Sequence, residues 1–389
     1  MKAMNTQQII TLESKHVMST YRRFPVAMVR GNGAYVYDAE GKKYLDMLGG
    51  IAVTPVGHAN KEVAKAVSRQ IKTLTGVSNY YYMQQQAVLA AKLAKKSGLA
   101  RCFFCNSGAE ANEAAFKLVR KVTGKKEIIS FVGAFHGRTF GSLAATWKSM
   151  IKDKFVPLVP MFKHVPYGDL KALESAITSE TAAVIMEPIQ GEAGINVSAK
   201  RFLVGVRAVC TKRKVLLIMD EVQTGIGRTG AFFAYQHAGI VPDIVTTAKG
   251  LANGIPIGVC IAAAGIDFDP GDHASTFGGN EISCAAANAV LDYIDSHDIM
   301  SNAANMGALF MKKLAALKEK KQSIREIRGM GLMIALELDG ESKPVVVKCL
   351  ENGLICNAVT EKAIRFLPPL IITEKELDIA INILDEVLR

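Results

Sequence analysis

The feature that most constrains the fold is an alternation. Short runs that are apolar at nearly every position, at 102–105, 128–131, 182–186, 215–219, 244–247 and 257–262, are separated by amphipathic stretches. Such runs suit strands covered on both faces, as in a parallel sheet. Between them, Ala111, Ala115, Leu118 and Val122 recur every three or four positions, and Ser107 stands where a helix cap belongs. The alternation predicts an α/β sheet with helices on both sides.

After residue 280 the texture changes. Helical patterns at 283–294 and 302–320 lead into 330–338, 343–353 and 363–372, and a helix over 374–388 closes the chain. This reads as a small α+β unit. Near the start, 33–46 has a hairpin pattern with Gly41 near its turn. The expected division is an N-terminal segment (1–45) packing with the small domain, a large domain (46–280) and a small C-terminal domain (281–389). A length of 389 residues suits that division.

Composition narrows the function classes. The longest apolar candidate for a membrane span, 257–266, carries two glycines and is too short. Residues 1–16 are polar and lack the apolar core of a signal peptide. Seven cysteines cannot form a closed disulfide set, so a reducing, cytoplasmic location is expected. Cys102 and Cys105 form a CxxC around two phenylalanines, with no second ligand pair nearby; a buried strand is expected there, not a metal site. The net charge of +11 comes from scattered basic pairs such as Arg22-Arg23 and Lys320-Lys321. They form no single stripe of the kind nucleic acid requires.

Gly225, Gly227 and Gly230 spell GxGxxG, but five residues separate them from the preceding strand. A dinucleotide fingerprint needs its first glycine at the strand end, so this signal is weak. The residue that ends that strand is more informative. Asp220 follows 215–219 at the carboxyl end, where open α/β sheets bind ligands. Lys249 lies just past the run 244–247, between small residues. Taken alone, the first is either a cap or a ligand group, and the second either a surface charge or a cofactor-bound amine. Together, a carboxylate for a pyridinium nitrogen and a lysine for a Schiff base are what pyridoxal phosphate requires. Residues 106–109 open a helix with small side chains, suited to phosphate at a helix N-terminus. Phe135 offers a flat face for the ring.

With these residues in place, the chain resembles the class-III, fold-type-I pyridoxal-phosphate aminotransferases. The matching segments are FFCNSGAEANEAA (103–115), FHGRT (135–139), EPIQGEAG (187–194), DEVQTGIGRTG (220–230), AKG (248–250), STFGGN (275–280) and RFLPPLII (365–372). The resemblance implies a large domain with a mostly parallel seven-stranded sheet and a smaller α+β domain. It implies a catalytic pair, Lys249 and Asp220, and a cofactor set of Ser107, Gly108, Ala109, Phe135, Asp220, Glu221, Val222, Gln223, Lys249 and Thr276. Thr276 would come from the other subunit of a homodimer. Substrate would meet Arg138, Glu192, Ser275 and Arg365. The implied reaction joins N2-acetyl-L-ornithine and 2-oxoglutarate and belongs to arginine biosynthesis. Glu192 is expected to pair with Arg365 for the first substrate and to swing away for the second.

Alternatives stay open. Another ω-amine (ornithine, succinylornithine, succinyl-diaminopimelate, an acylated lysine or 4-aminobutyrate) would use the same chemistry. An aminomutase of the same fold would need no 2-oxoglutarate, and a non-catalytic binding protein would not need Lys249 and Asp220 together. The chain departs from the commoner family pattern at 58–61, at Glu281-Ile282 and at 356–362. The last lies near the expected carboxylate site and bears on substrate choice.

Overall fold

The computed structural model describes residues 4–388; the outer ends of the expected segments 1–45 and 281–389 lie outside the described residues. A seven-stranded sheet forms the centre. Its strands run in the order Arg101–Cys105, Gly258–Ala262, Ile244–Thr247, Leu216–Asp220, Thr181–Met186, Glu127–Phe131 and Phe162–Val165. Alternate residues go to opposite faces. Ile128, Ile185, Ile218 and Ile244 pack with Phe116, Leu118 and Val119 of the helix Gly108–Thr123. Ile129, Val184, Leu217 and Val245 pack on the other side with Leu89, Leu93, Phe202 and Val206. Each such side chain taken from water contributes roughly 1.5–3 kcal/mol, which is why both faces read as apolar in the sequence.

One strand corrects the expectation. Gly258–Ala262 is antiparallel to both its neighbours. The segment 248–257 that precedes it is too short for a crossover, so the chain turns straight back. Elsewhere the sheet pairs in parallel.

The GxGxxG glycines form a turn packed on the helix Ile299–Lys320, where Gly227 and Gly230 face Met300 and Ala304. They do not reach the sheet's ligand-binding edge.

The C-terminal region forms an antiparallel sheet ordered Ile324–Met330, Met333–Leu338, Ala363–Phe366 and Asn357–Ala358. Near the N-terminus, Tyr35–Asp38 and Lys43–Asp46 form the hairpin, with Gly41 at φ 89° in its turn. The C-terminal strand Leu354–Ile355 pairs in parallel with Lys43–Asp46. The helix Glu281–Ser296 packs against Lys61–Thr73 and Gln84–Ser97. Among the described residues no helix is long and apolar enough to cross a membrane.

Candidate active site

The carboxyl ends of the strands converge on a cavity of about 410 Å³. Asp220 ends the strand Leu216–Asp220 and is buried. Its Oδ2 accepts from Asn112 Nδ2 at 2.8 Å and from His136 Nδ1 at 2.7 Å, and its Oδ1 accepts from the Val222 amide at 3.1 Å. Asn112 is itself oriented, because Thr246 Oγ1 donates to its Oδ1 at 2.7 Å. With that oxygen occupied, the amide must turn its NH2 to Asp220 and to the His136 carbonyl. The carboxylate is thereby fixed from three sides while still lining the cavity.

Lys249 begins a short 3₁₀ turn just after Ile244–Thr247 and lines the same cavity. Its φ of 43° lies in the left-handed region, which strains the backbone of a non-glycine residue. No hydrogen bond or ion pair reaches its amine among the described residues. Burial pulls the amine pKa down; Glu192, Asp220 and Glu187 oppose that, and Arg365 adds to it. The result is an amine with more of its neutral, nucleophilic form than a surface lysine has.

Ser107 caps the helix Gly108–Thr123, accepting from the Glu110 amide at 3.2 Å. That leaves the first-turn amides at Gly108 and Ala109, with the helix dipole behind them, facing the cavity. A Cβ at Gly108 would come within 2.7 Å of Val222, so only glycine lets the helix start approach so closely. Phe135 lines the cavity too, and the Arg138 guanidinium lies 5.7 Å from its ring centroid.

Arg365 sits beside this cavity in the strand Ala363–Phe366 and is fully buried. Its Nη1 donates to Glu192 Oε1 at 2.5 Å, to Gln223 Oε1 at 3.1 Å and to the Gly191 carbonyl at 3.3 Å, and its Nε donates to Asn357 Oδ1 at 3.1 Å. Burial raises the Glu192 pKa, but Arg365, Lys249 and Gln223 together outweigh it and hold the carboxyl below its usual range. A Cβ at Gly191 would come within 2.4 Å of Gln223, so glycine is needed here for close approach.

The cavity thus brings together Ser107, Gly108, Ala109, Phe135, Arg138, Asp220, Val222, Gln223 and Lys249. Glu221 does not line it. Its carboxylate turns into the core, accepting from Thr224 Oγ1 and from the Tyr235 amide at 2.9 Å, because the side chain after Asp220 points to the opposite side. Ser275 Oγ accepts from Asn106 Nδ2 of the same chain at 3.3 Å. Thr276 is exposed and does not line this chain's cavity. Sequence reasoning missed Asn112, His136 and Asn357. Asn112 carried a signal, as a polar side chain one helical turn after Gly108 among Ala111, Ala114 and Ala115. Asn357 lay within the divergent segment 356–362, but its pairing with Arg365 is made across strands and so could not be read from the sequence.

The class-III aminotransferase family model matches residues 17–388. The chain belongs to this family. An acetylornithine aminotransferase of Methanocaldococcus jannaschii is 47% identical over 99% of this chain and 98% of its own length. One from Methanothermobacter thermautotrophicus is 46% identical over 99% of both. Among solved structures, the ornithine aminotransferase of Toxoplasma gondii superposes with a TM-score of 0.96 at 32% identity, covering 100% of this chain and 95% of that one. The acetylornithine aminotransferase of Elizabethkingia anophelis gives 0.88 at 33% identity, covering 99% of each.

The enzyme is an aminotransferase that uses pyridoxal phosphate, an amino donor and a keto acid. Its residues fit that cofactor: an unpartnered amine, an anchored carboxylate, a flat aromatic face and a helix N-terminus surround one cavity.

Proposed function

We propose that the enzyme transfers the terminal amine of N2-acetyl-L-ornithine to 2-oxoglutarate, giving N-acetyl-L-glutamate 5-semialdehyde and L-glutamate, in the cytoplasmic biosynthesis of arginine. Pyridoxal phosphate, when bound, supplies a carbonyl that condenses with amines and a ring that accepts the electron pair left by deprotonation. Lys249 Nζ is the group that bonds the cofactor, then takes and returns the substrate proton. Asp220, anchored by Asn112 and His136, would favour a positive charge on the ring nitrogen. The first-turn amides at Gly108 and Ala109 would hold the phosphate, and Phe135, Val222 and Gln223, which line the same cavity, would hold the ring.

The observation that carries the donor reading is the Arg365–Glu192 pair. A terminal-amine donor brings no carboxylate to the reacting carbon, whereas 2-oxoglutarate does. An arginine masked by a carboxylate tolerates the first, and one unmasked by its movement holds the second by a charge-assisted contact. Arg138, which makes no ion pair among the described residues, is free for the donor's distal carboxylate.

A homodimer with shared sites fits the exposed aromatic side chains of Tyr80, Tyr82 and Phe277 and the exposed Thr276, which has no role in its own chain's cavity. Thr276 would then reach the partner's phosphate, with Ser275 near substrate. The three-part division at residues 45 and 280 is likewise proposed, with Leu354–Ile355 tying the N-terminal hairpin to the C-terminal unit.

A second reading, with ornithine as donor, is favoured by the Toxoplasma gondii likeness. A panel of ω-amino donors with 2-oxoglutarate, ranked by kcat/KM, separates the two. Acetylornithine should rank first; ornithine ahead of it would overturn the proposed donor.

A further inference from the structure

The cavity holds one more ionisable side chain to which no role has been given. Glu187 follows the carboxyl end of the strand Thr181–Met186, lines the cavity and is buried. No cation is paired with it among the described residues. Its Oε1 accepts from the Phe135 amide at 3.0 Å and its Oε2 from the Gly191 amide at 3.0 Å. Its own carbonyl accepts from the Tyr167 hydroxyl at 3.0 Å, which pins the backbone from behind.

The two amides belong to different loops. One carries the aromatic face of the site. The other leads directly into Glu192, and the Gly191 carbonyl lies 3.3 Å from Arg365 Nη1. A carboxylate can accept from both amides at once, one on each oxygen. Glutamine has a single acceptor oxygen and would turn an NH2 toward the other donor. Burial pushes the Glu187 carboxyl up to about 7; Asp220 adds to this, while His136 and the two amides pull it down. A buried acid that makes no ion pair is costly, and an apolar residue would fill the same space without a buried charge, but it would leave both amides without an acceptor.

We infer that Glu187 is a positioning residue whose two oxygens tie the Phe135 loop to the Gly191–Glu192 loop, so that the stacking face and the gate keep one relative geometry. The inference rests on the proposed roles of Phe135 and Glu192. It adds that neither loop is set independently of the other.

Glu187→Leu removes both acceptors, and Glu187→Gln returns one. Two readouts do not depend on turnover: the affinity of the apoenzyme for pyridoxal phosphate, and amide hydrogen exchange at Gly191. In a folded Glu187→Leu protein, cofactor affinity should fall about tenfold and exchange at Gly191 should rise about tenfold. Glu187→Gln should restore one of these and not both. Wild-type behaviour of either readout in Glu187→Leu, or full restoration by Glu187→Gln, would overturn the inference. If Glu187→Leu does not fold, exchange in the wild-type holoenzyme decides: protected amides at both Phe135 and Gly191 are expected, and unprotected rates at either contradict it. Glu192→Ala, run alongside, tests the gate by donor preference alone, so the two readings fail separately.

Discussion

Arg365 Nη1 donates to Glu192 Oε1 at 2.5 Å, and the same nitrogen meets Gln223 Oε1 at 3.1 Å. The guanidinium is buried, whereas a third of the Glu192 side chain is exposed. Of the two partners, the glutamate is therefore the one with room to move. Truncating it leaves Arg365 still held by Gln223, Asn357 and the Gly191 carbonyl, but with its charge unmasked. Glu192→Ala should raise kcat/KM for L-glutamate as amino donor, relative to acetylornithine, by about tenfold. An unchanged ratio would mean the pair is a fixed structural bridge.

Asn357 tests the other side of the same arginine. Its Oδ1 takes Arg365 Nε at 3.1 Å, across neighbouring strands whose register fixes both residues. Asn357→Asp places a second carboxylate there, on a strand that cannot swing away. The KM for 2-oxoglutarate should rise about tenfold, with the donor half-reaction little changed. Stopped-flow measurement of each half-reaction separates the two effects.

Asp220→Asn keeps the shape of the side chain but not its charge. It also points an NH2 at existing donors, either at the Val222 amide that serves Oδ1 or at Asn112 Nδ2 and His136 Nδ1, which share Oδ2. A drop in kcat of at least about 100-fold is expected in single-turnover assays, with circular dichroism unchanged. A wild-type rate would remove Asp220 from its proposed role.

Much of this site was legible in the sequence, because strand ends are chemically distinctive. Asp220 and Lys249 each follow a run that is apolar on both faces, and such runs end at the ligand-binding edge. What the sequence hid was lateral. Asn112, His136 and Glu187 reach the cavity from different elements, and only the folded sheet brings them within hydrogen-bond distance of one another's partners. Glu221 was misplaced because it neighbours Asp220 in a strong motif, while strand alternation sends it into the core. The antiparallel strand Gly258–Ala262 was misread because burial on both faces looks the same in either direction. The helix Thr6–His16 buries no residue, so it carries no apolar stripe to find.

Glu221 also gives the protein a pH signature. Burial pushes its carboxyl up to about 7, against hydrogen bonds from Thr224, Ala234 and Tyr235 that lower it, with Asp220 adding to the rise. The folded state then binds a proton that the unfolded chain has released above the ordinary glutamate range. Between those two pKa values stability falls as pH rises. Relative to Glu221→Gln, the wild type should lose thermal stability progressively from about pH 4.5 to about pH 7 and level off above. Parallel Tm curves for the two proteins would contradict this.

The role of Lys249 is tested by reducing the holoenzyme with borohydride and mapping the modified peptide by mass spectrometry. A phosphopyridoxyl group is expected on Lys249 alone, and none in Lys249→Ala, which should fold and remain inactive. A label on another lysine, or a labelled and active Lys249→Ala protein, would contradict it.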